Sequence, residues 1–295
     1  MLLNISRELA FIASILGLAK GFGCGTGMTD LSVVARREME MEVRGPPAPS
    51  WRRQAGGKEL TSVNTYIHIM SADQTEEGGN LPDSIIDPQM KIVSDAFVVT
   101  GYQFNYTVTR NVNATWYYEG YQNSQIEKDF KGALRKGGVE TMNVFVMGTN
   151  KSDISAWSTT PNELELPWLV ANDGIVIHRS IWLNGSNPEL NLGVSLVHEV
   201  GHWFGLLHTF SGGCGNFDYV DDTPAQDWQN LGGCEPKDSC PDDPGVDPIH
   251  NYMSYSNDTC RTEFTPGQIK RMQEQMSYWR NLTAAGQAPT TERPE

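Results

Sequence analysis

The chain has 295 residues, 39% of them hydrophobic, which suffices for one substantial core built around a cleft. It carries 22 lysines and arginines against 36 aspartates and glutamates, a formal charge of −14 that repels phosphate backbones and anionic lipid, so nucleic acid is not expected as a partner. The same acidity suits a soluble secreted protein or a calcium binder, and equally often serves only solubility.

From the N-terminus, LAFIASILGLA at 9–19 lies between Arg7 and Lys20. It is too short to cross a bilayer as a lone helix and has the length of a signal-peptide core. Residues 1–19 are therefore expected to be a leader and the mature chain to be secreted, with no membrane contact once the leader is removed. Glu8 cancels Arg7, which leaves an amphipathic or buried N-terminal helix as the competing reading. Residues 20–53 read as a pro-segment or linker, ending in RGPPAPSWRRQAGG (44–57), where proline, glycine and arginine are dense. Arg52 and Arg53 there are either a processing point or a solvated basic loop.

A single domain is expected over 54–281. VNTYIHIM (63–70) alternates and is rich in β-branched and aromatic types, as a strand requires. Residues 84–97, with Ile85, Met90, Ile92, Val93 and Phe97, suggest a helix; 102–110 a strand; 124–136 an amphipathic helix; 141–148 a strand. This alternation indicates an α/β sandwich half. GIVIHRSIW (174–182) adds a short strand, expected to pair with an extended substrate along its edge. SLVHEVGHWFGLLH (195–208) is an apolar helix with polar residues at a few positions only. Beyond Phe210 the chain is irregular until a last helix over 265–281, capped by Thr265 with Pro266 at its first position. Residues 282–295 read as a disordered tail.

Of five cysteines, Cys214, Cys234, Cys240 and Cys260 crowd into one region and Cys24 stands alone. None of the four forms a Cys-x-x-Cys pair, which favours two disulfides and an oxidising compartment over a structural zinc site. Asn105, Asn113, Asn150, Asn184, Asn257 and Asn281 sit in Asn-x-Ser/Thr sequons, candidate glycosylation sites in a secreted chain.

The chemistry concentrates in HEVGHWFGLLH. Positions i and i+4 of a helix share a face, so His198 and His202 can offer two imidazoles to one metal. Gly205 permits a positive φ where the chain leaves the helix, and the resulting turn can bring His208 to the same ion. Three neutral histidines leave a tetrahedral zinc one open position, as in catalytic sites. Glu199, about 100° round the helix from His198, is placed to act on water as the general base. Three incidental imidazoles would each need a buried partner, which argues against a merely structural helix.

HExxHxxGxxH followed by NYMSY (251–255) resembles the metzincin clan with its methionine turn, and makes Met253 the apolar base beneath the metal. Within the clan the chain resembles the pappalysins and, more loosely, extracellular fungal metalloproteases. HEVGHWFGLLHTF, DYVDDTPAQ (218–226), NYMSY and FTPGQIKRM (264–272) recur in that family's order, over residues 60–280. The resemblance implies an α+β metzincin-type domain: a twisted mixed sheet with a backing helix and an active-site helix, then an irregular disulfide-stapled C-terminal subdomain. It implies Cys214 with Cys240 and Cys234 with Cys260, although sequence alone permits three pairings. It implies calcium at Asp218, Asp221, Asp222 and Thr223, a cluster that otherwise reads as a solvated turn. Tyr255 occupies the place where some metzincins set a tyrosine against the tetrahedral intermediate, and its plain alternative is packing. Cys24, in FGCGTG, resembles the Cys-Gly-Thr of pappalysin pro-segments and would act as a latency switch on the zinc, although the arginine often preceding such a cysteine is missing.

The expected activity is that of a secreted zinc endopeptidase on protein or peptide substrates. A non-catalytic zinc-binding protein is the alternative, against which the intact Glu199 argues. Asp258 would favour a basic residue after the cut, or is a surface turn aspartate.

Overall fold

The computed structural model describes residues 23–24, 59–148, 154–215, 217–227 and 233–288, with backbone alone at 23–24 and 167–168. The leader at 1–19, most of the segment 20–53, the domain start at 54 and Asn150 lie outside the described residues.

Six strands form one sheet in the order β1-β5-β6-β4-β2-β3. They are β1 (Gly23–Cys24), β2 (Thr61–Ser71), β3 (Tyr102–Val112), β4 (Met142–Met147), β5 (Ile154–Ser158) and β6 (Ile175–His178). β2, β3, β4 and β6 run parallel; β5 is antiparallel to β6, and β1 pairs parallel to β5. Every residue of β4 is buried, as a strand covered on two sides requires, and the central strands are mostly apolar, with buried polar exceptions that include Asn143 and His68, hydrogen-bonded to each other.

Helix α1 (Asp83–Phe97) buries Ile86, Met90, Val93 and Phe97, spaced four, three and four apart, so one stripe faces the sheet. On the same face lies α5 (Val194–Trp203), whose ten residues are all buried. Gln89 of α1 fixes the approach to α5: its amide nitrogen donates to the Gly193 carbonyl at 2.9 Å, and its oxygen accepts the Leu183 amide at 3.0 Å. The opposite face is covered by α2 (Ala114–Glu119) and α3 (Gln125–Leu134), packing Tyr117 and Phe130 on Met70, Phe145, Met147, Trp157 and Val176. A one-turn helix α4 (Pro167–Val170) precedes β6, and α6 (Pro266–Arg280) closes the chain against the exit of α5.

Three expectations are corrected. The strand expected over 174–182 ends at His178 and continues as a 3-10 turn over Arg179–Ile181, and because β4 and β5 occupy both its edges it cannot pair with a substrate. Among the described residues the sheet ends in β1 on one side and β3 on the other, and β5 lies between β6 and the two-residue β1. The helix expected to reach 208 stops at Trp203, since Gly205 turns the chain at φ 102°. Residues 282–288 of the expected tail are packed: Tyr102 donates to the Leu282 carbonyl at 2.9 Å, Thr61 to the Thr283 carbonyl at 2.7 Å, and Ala284 is buried.

Candidate metal centre and catalytic cleft

The helix period brings His198 and His202 to one side of α5, and the turn at Gly205 returns His208 to it. The Nε2 atom of His202 lies 3.1 Å from that of His198 and 3.1 Å from that of His208. Two Nδ1 atoms face carbonyl oxygens, His198 that of Tyr252 at 2.7 Å and His202 that of Leu206 at 2.8 Å. A carbonyl only accepts, so these Nδ1 atoms carry the protons and both Nε2 lone pairs turn inward. Converging lone pairs repel unless a cation sits among them, and these separations suit nitrogens about 2.0–2.1 Å from one tetrahedral zinc. Burial, aided by the neighbouring imidazoles, holds His198 and His208 well below the ordinary histidine value; burial holds His202 at about 4. All three are therefore neutral at physiological pH, the form in which an imidazole can hold a metal.

Glu199 is fully buried on α5 next to His198. Met253 lies directly under the helix: a Cβ added to Gly201 would stand 2.5 Å from its Sδ. The turn that carries it is tied at three points, Met253 N to Asn251 Oδ1 at 2.9 Å, Thr209 N to Met253 O at 3.3 Å, and Tyr252 N to Glu263 O at 2.9 Å. Tyr255 packs beside the imidazoles, its ring centroid 4.9 Å from that of His208 and 5.7 Å from that of His198.

The motif FTPGQ holds this turn in place. Thr265 and Gln268 form a reciprocal capping box at the start of α6, and Gln268 also exchanges two amide bonds with Asn251, at 2.7 and 3.0 Å. Asp222 accepts from Thr265 Oγ1 at 2.6 Å and from Gly267 N at 2.8 Å, so a carboxylate sits at the positive end of α6. Asp218 accepts from Thr223 Oγ1 at 2.6 Å and Val220 N at 3.1 Å, and burial pushes its pKa up to about 6. Asp221 and Thr223 line a small surface pocket with Asp222 and Asp243. Cys214 bonds to Cys240 and Cys234 to Cys260, so these sulfurs offer no thiolates to a second zinc.

Asp258 departs from its sequence reading. It is buried, its Oδ2 accepts the amides of Leu192 (2.9 Å) and Val194 (3.3 Å) at the start of α5, and its Oδ1 accepts Arg261 Nη2 at 2.5 Å. The carboxylate is thus committed within the protein, and Arg261, which no motif singles out, is its partner. Among the sequons, Asn105 on β3, Asn184 and Asn281 are exposed, Asn257 is half-buried, and Asn113 caps α2 by accepting Trp116 N at 3.0 Å.

A family model described as pregnancy-associated plasma protein-A, peptidase M43, matches residues 121–277. The chain is 35% identical to an extracellular metalloprotease of Pyricularia oryzae, over 95% of this chain and 99% of that one. It is 36% identical to an extracellular metalloprotease of Colletotrichum graminicola, over 91% and 94%. Among solved structures it resembles mature mirolysin of Tannerella forsythia in complex with a cleaved peptide, with a TM-score of 0.60 at 23% identity, covering 74% of this chain and 92% of that one. At that identity the likeness speaks for the fold, and the fold is the metzincin-like mixed sheet with its helices.

Proposed function

The chain belongs to the M43 peptidase family, and on that footing we propose that it cuts internal peptide bonds of proteins outside the cell, with His198, His202 and His208 as zinc ligands and Glu199 as general base. Family and relatives make it a zinc metalloendopeptidase. The observation that carries the residue assignment is the convergence of three Nε2 atoms beside Glu199. Zinc bound there supplies Lewis acidity to a water molecule and to the scissile carbonyl. Glu199 takes the water's proton and passes it to the leaving amine. Tyr255, packed against two of the imidazoles, is in reach to stabilise the developing oxyanion, and Met253 supports the ligands from below.

The substrate's extended backbone would lie along the outer edge of β5, the edge that β1 occupies in the unprocessed chain. Residues 20–53 are then a pro-segment, of which Gly23–Cys24 lies on that edge, and residues 1–19 a leader. Support comes from Gly23–Cys24, whose backbone pairs with β5 in parallel, and from the complete burial of His198, Glu199 and His202. The Cys24 thiolate would fill the open metal position until the segment is removed. Calcium is proposed at Asp218, Asp221, Asp222 and Thr223, where burial of Asp218 leaves a carboxylate that a cation would keep ionised. The exposed Asn105, Asn184 and Asn281 are the proposed glycan carriers.

Purified protein assayed for zinc and for casein cleavage, wild type beside Glu199→Ala, tests the central reading. Wild type should cleave, a chelator should stop it, and Glu199→Ala should keep one zinc while losing about a hundredfold or more in rate. A variant of undiminished turnover would remove Glu199 from the mechanism. The same preparations test two finer points. Cys24→Ser should abolish the latency of the unprocessed chain, and calcium should raise the melting temperature of the zinc-loaded protein; unchanged latency or an unchanged melting temperature sinks the respective assignment.

A further inference from the structure

Little backbone holds β5 in the sheet. It pairs with β6 over three residues, Ala156–Ser158, whereas β2 pairs with β3 over eleven. On its outer edge it meets only Gly23–Cys24 among the described residues. A strand with so few ladder bonds keeps its place through side chains, and here those side chains belong to α3.

Trp157 stands at the middle of β5, on the sheet face away from α5, and is buried among Tyr117, Phe130 and Val176. Its indole Nε1 donates to Oε1 of Glu127 on α3 at 2.6 Å. The same oxygen lies 2.7 Å from Lys131 Nζ, and the other carboxylate oxygen accepts Asn123 N at 2.6 Å. Lys131 also donates to the Asn172 carbonyl at 2.9 Å. Arg135, at the end of α3, lies 3.4 Å from Asp173, whose Oδ1 accepts Thr159 Oγ1 at 2.6 Å just past the end of β5. Glu127, Lys131 and Arg135 recur every fourth position and so share one face of the helix. That face holds β5 at its middle through Trp157, and holds the loop that leads into β6 through Asn172 and Asp173. Glu127, Lys131 and Trp157 are all buried, and an apolar set of similar volume would pack as well at lower desolvation cost. What the charged set adds is direction: one short, charge-assisted bond fixes the indole, and with it the backbone that carries it.

A substrate tied to the metal by its carbonyl can pair with β5 only if the outward amides and carbonyls of that strand stand at hydrogen-bond distance, and a displacement of about 1 Å is enough to lose them. We infer that Glu127 is a positioning residue for substrate binding: through Trp157 it sets the place of β5, an assignment that rests on β5 being the strand along which the substrate lies. Glu127 itself touches no substrate.

Steady-state kinetics of the activated, zinc-loaded enzyme on an internally quenched peptide test this. Trp157→Phe keeps a ring in the core and loses the indole N–H; Glu127→Asp keeps the charge beside Lys131 and draws the carboxylate back by one methylene. Each should raise KM about fivefold while kcat stays within about twofold of wild type. Glu127→Gln keeps both the reach and the acceptor but deprives Lys131 of its counter-charge. It should melt about 6 °C lower or more and still keep KM within about twofold of wild type. A merely structural role would order KM by stability and make Glu127→Gln the worst of the three; that order overturns the inference, as does an unchanged KM in Trp157→Phe and Glu127→Asp. Should Glu127→Gln fail to fold, the other two still decide. Substrates methylated on one backbone nitrogen at a time separate this from the reading beneath it: with wild type, KM should rise at the positions that pair with β5. If no methylated position matters, the substrate does not lie along a strand edge, and the role of Glu127 falls with that reading. Absence of cleavage above a Glu199→Ala background would remove the endopeptidase itself.

Discussion

Gly201 separates the two halves of HEVGH for a reason of contact. A methyl group there would meet Met253 Sδ at 2.5 Å, so the methionine packs against bare helix backbone and the two imidazoles rest on a close-fitted base. Gly201→Ala should cost about 1–3 kcal/mol by overpacking. Met253→Ala opens a cavity and is costly alone, by about 2–5 kcal/mol. Because the two atoms touch, the double variant should lose less than the sum of the singles, read by urea unfolding of the zinc-loaded protein. Strict additivity would show that no such contact exists. The three histidines and Glu199 are legible in sequence because short-range geometry brings them together, the helix period for His198, Glu199 and His202 and the glycine turn at Gly205 for His208. Arg261 is not, because its meaning depends on Asp258, and that of Asp258 on amides 64 and 66 residues away.

At the scale of elements, the methionine turn is held from α6. Gln268 serves two ends at once: it closes the capping box on Thr265 and pairs with Asn251, whose Oδ1 also receives Met253 N. Gln268→Ala should cost about 1–3 kcal/mol and slow turnover as well, since the turn beneath the metal loses its anchor. Thr265→Ala removes the cap and the bond to Asp222, for about 1–2 kcal/mol, but leaves the Gln268–Asn251 pair, and should leave turnover of the folded fraction intact. If both variants lost activity only in proportion to stability, Gln268 would be a helix cap and nothing more. Most long strands and helices are readable from their periodicity, with ends displaced by a residue or two, but the active-site helix ends five residues before the expected 208 because Gly205 turns the chain. β5 was not, because five residues, ISAWS, carry too little pattern to separate a strand from a loop. The substrate rim was misplaced for a related reason: composition marks 175–178 as a strand, but which strand lies at the edge is a property of the order β1-β5-β6-β4, and no local signal encodes it.

For the whole molecule, closure depends on buried charge. Arg280 on α6 makes two 3.0 Å contacts with Asp173 and lies 3.5 Å over the ring of Trp203 at the end of α5, so the last helix, the approach to β6 and the active-site helix are joined at one point. Burial would raise the Asp173 pKa, but the charge and hydrogen bonds of Arg280, with Thr159 and Arg135, hold it below the ordinary value. Its contribution is therefore complete at neutral pH and lost only as pH falls through its depressed folded pKa. Between pH 7 and 4 other groups govern, and they oppose one another. Burial raises Glu163 to about 7, so the folded chain takes up a proton before the unfolded one and gains stability on acidification. His178 runs the other way. Buried on the sheet face that carries Trp157, with no hydrogen-bond partner for its Nε2 among the described residues, it is lowered by burial to about 4. The unfolded chain protonates it from about 6.5 downward while the folded chain does not, so stability is lost as pH falls below that value and the loss levels off near the folded pKa. At pH 5 the loss attributable to His178 is about 2 kcal/mol. His178→Leu should remove it: the difference in unfolding free energy between pH 8 and pH 5, measured by denaturant titration of wild type and variant side by side, should shrink by that amount. All other titrating groups cancel in the comparison, because they are common to both chains. An unchanged pH difference would mean that His178 is protonated in the folded protein, and that burial at this end of β6 is relieved by water.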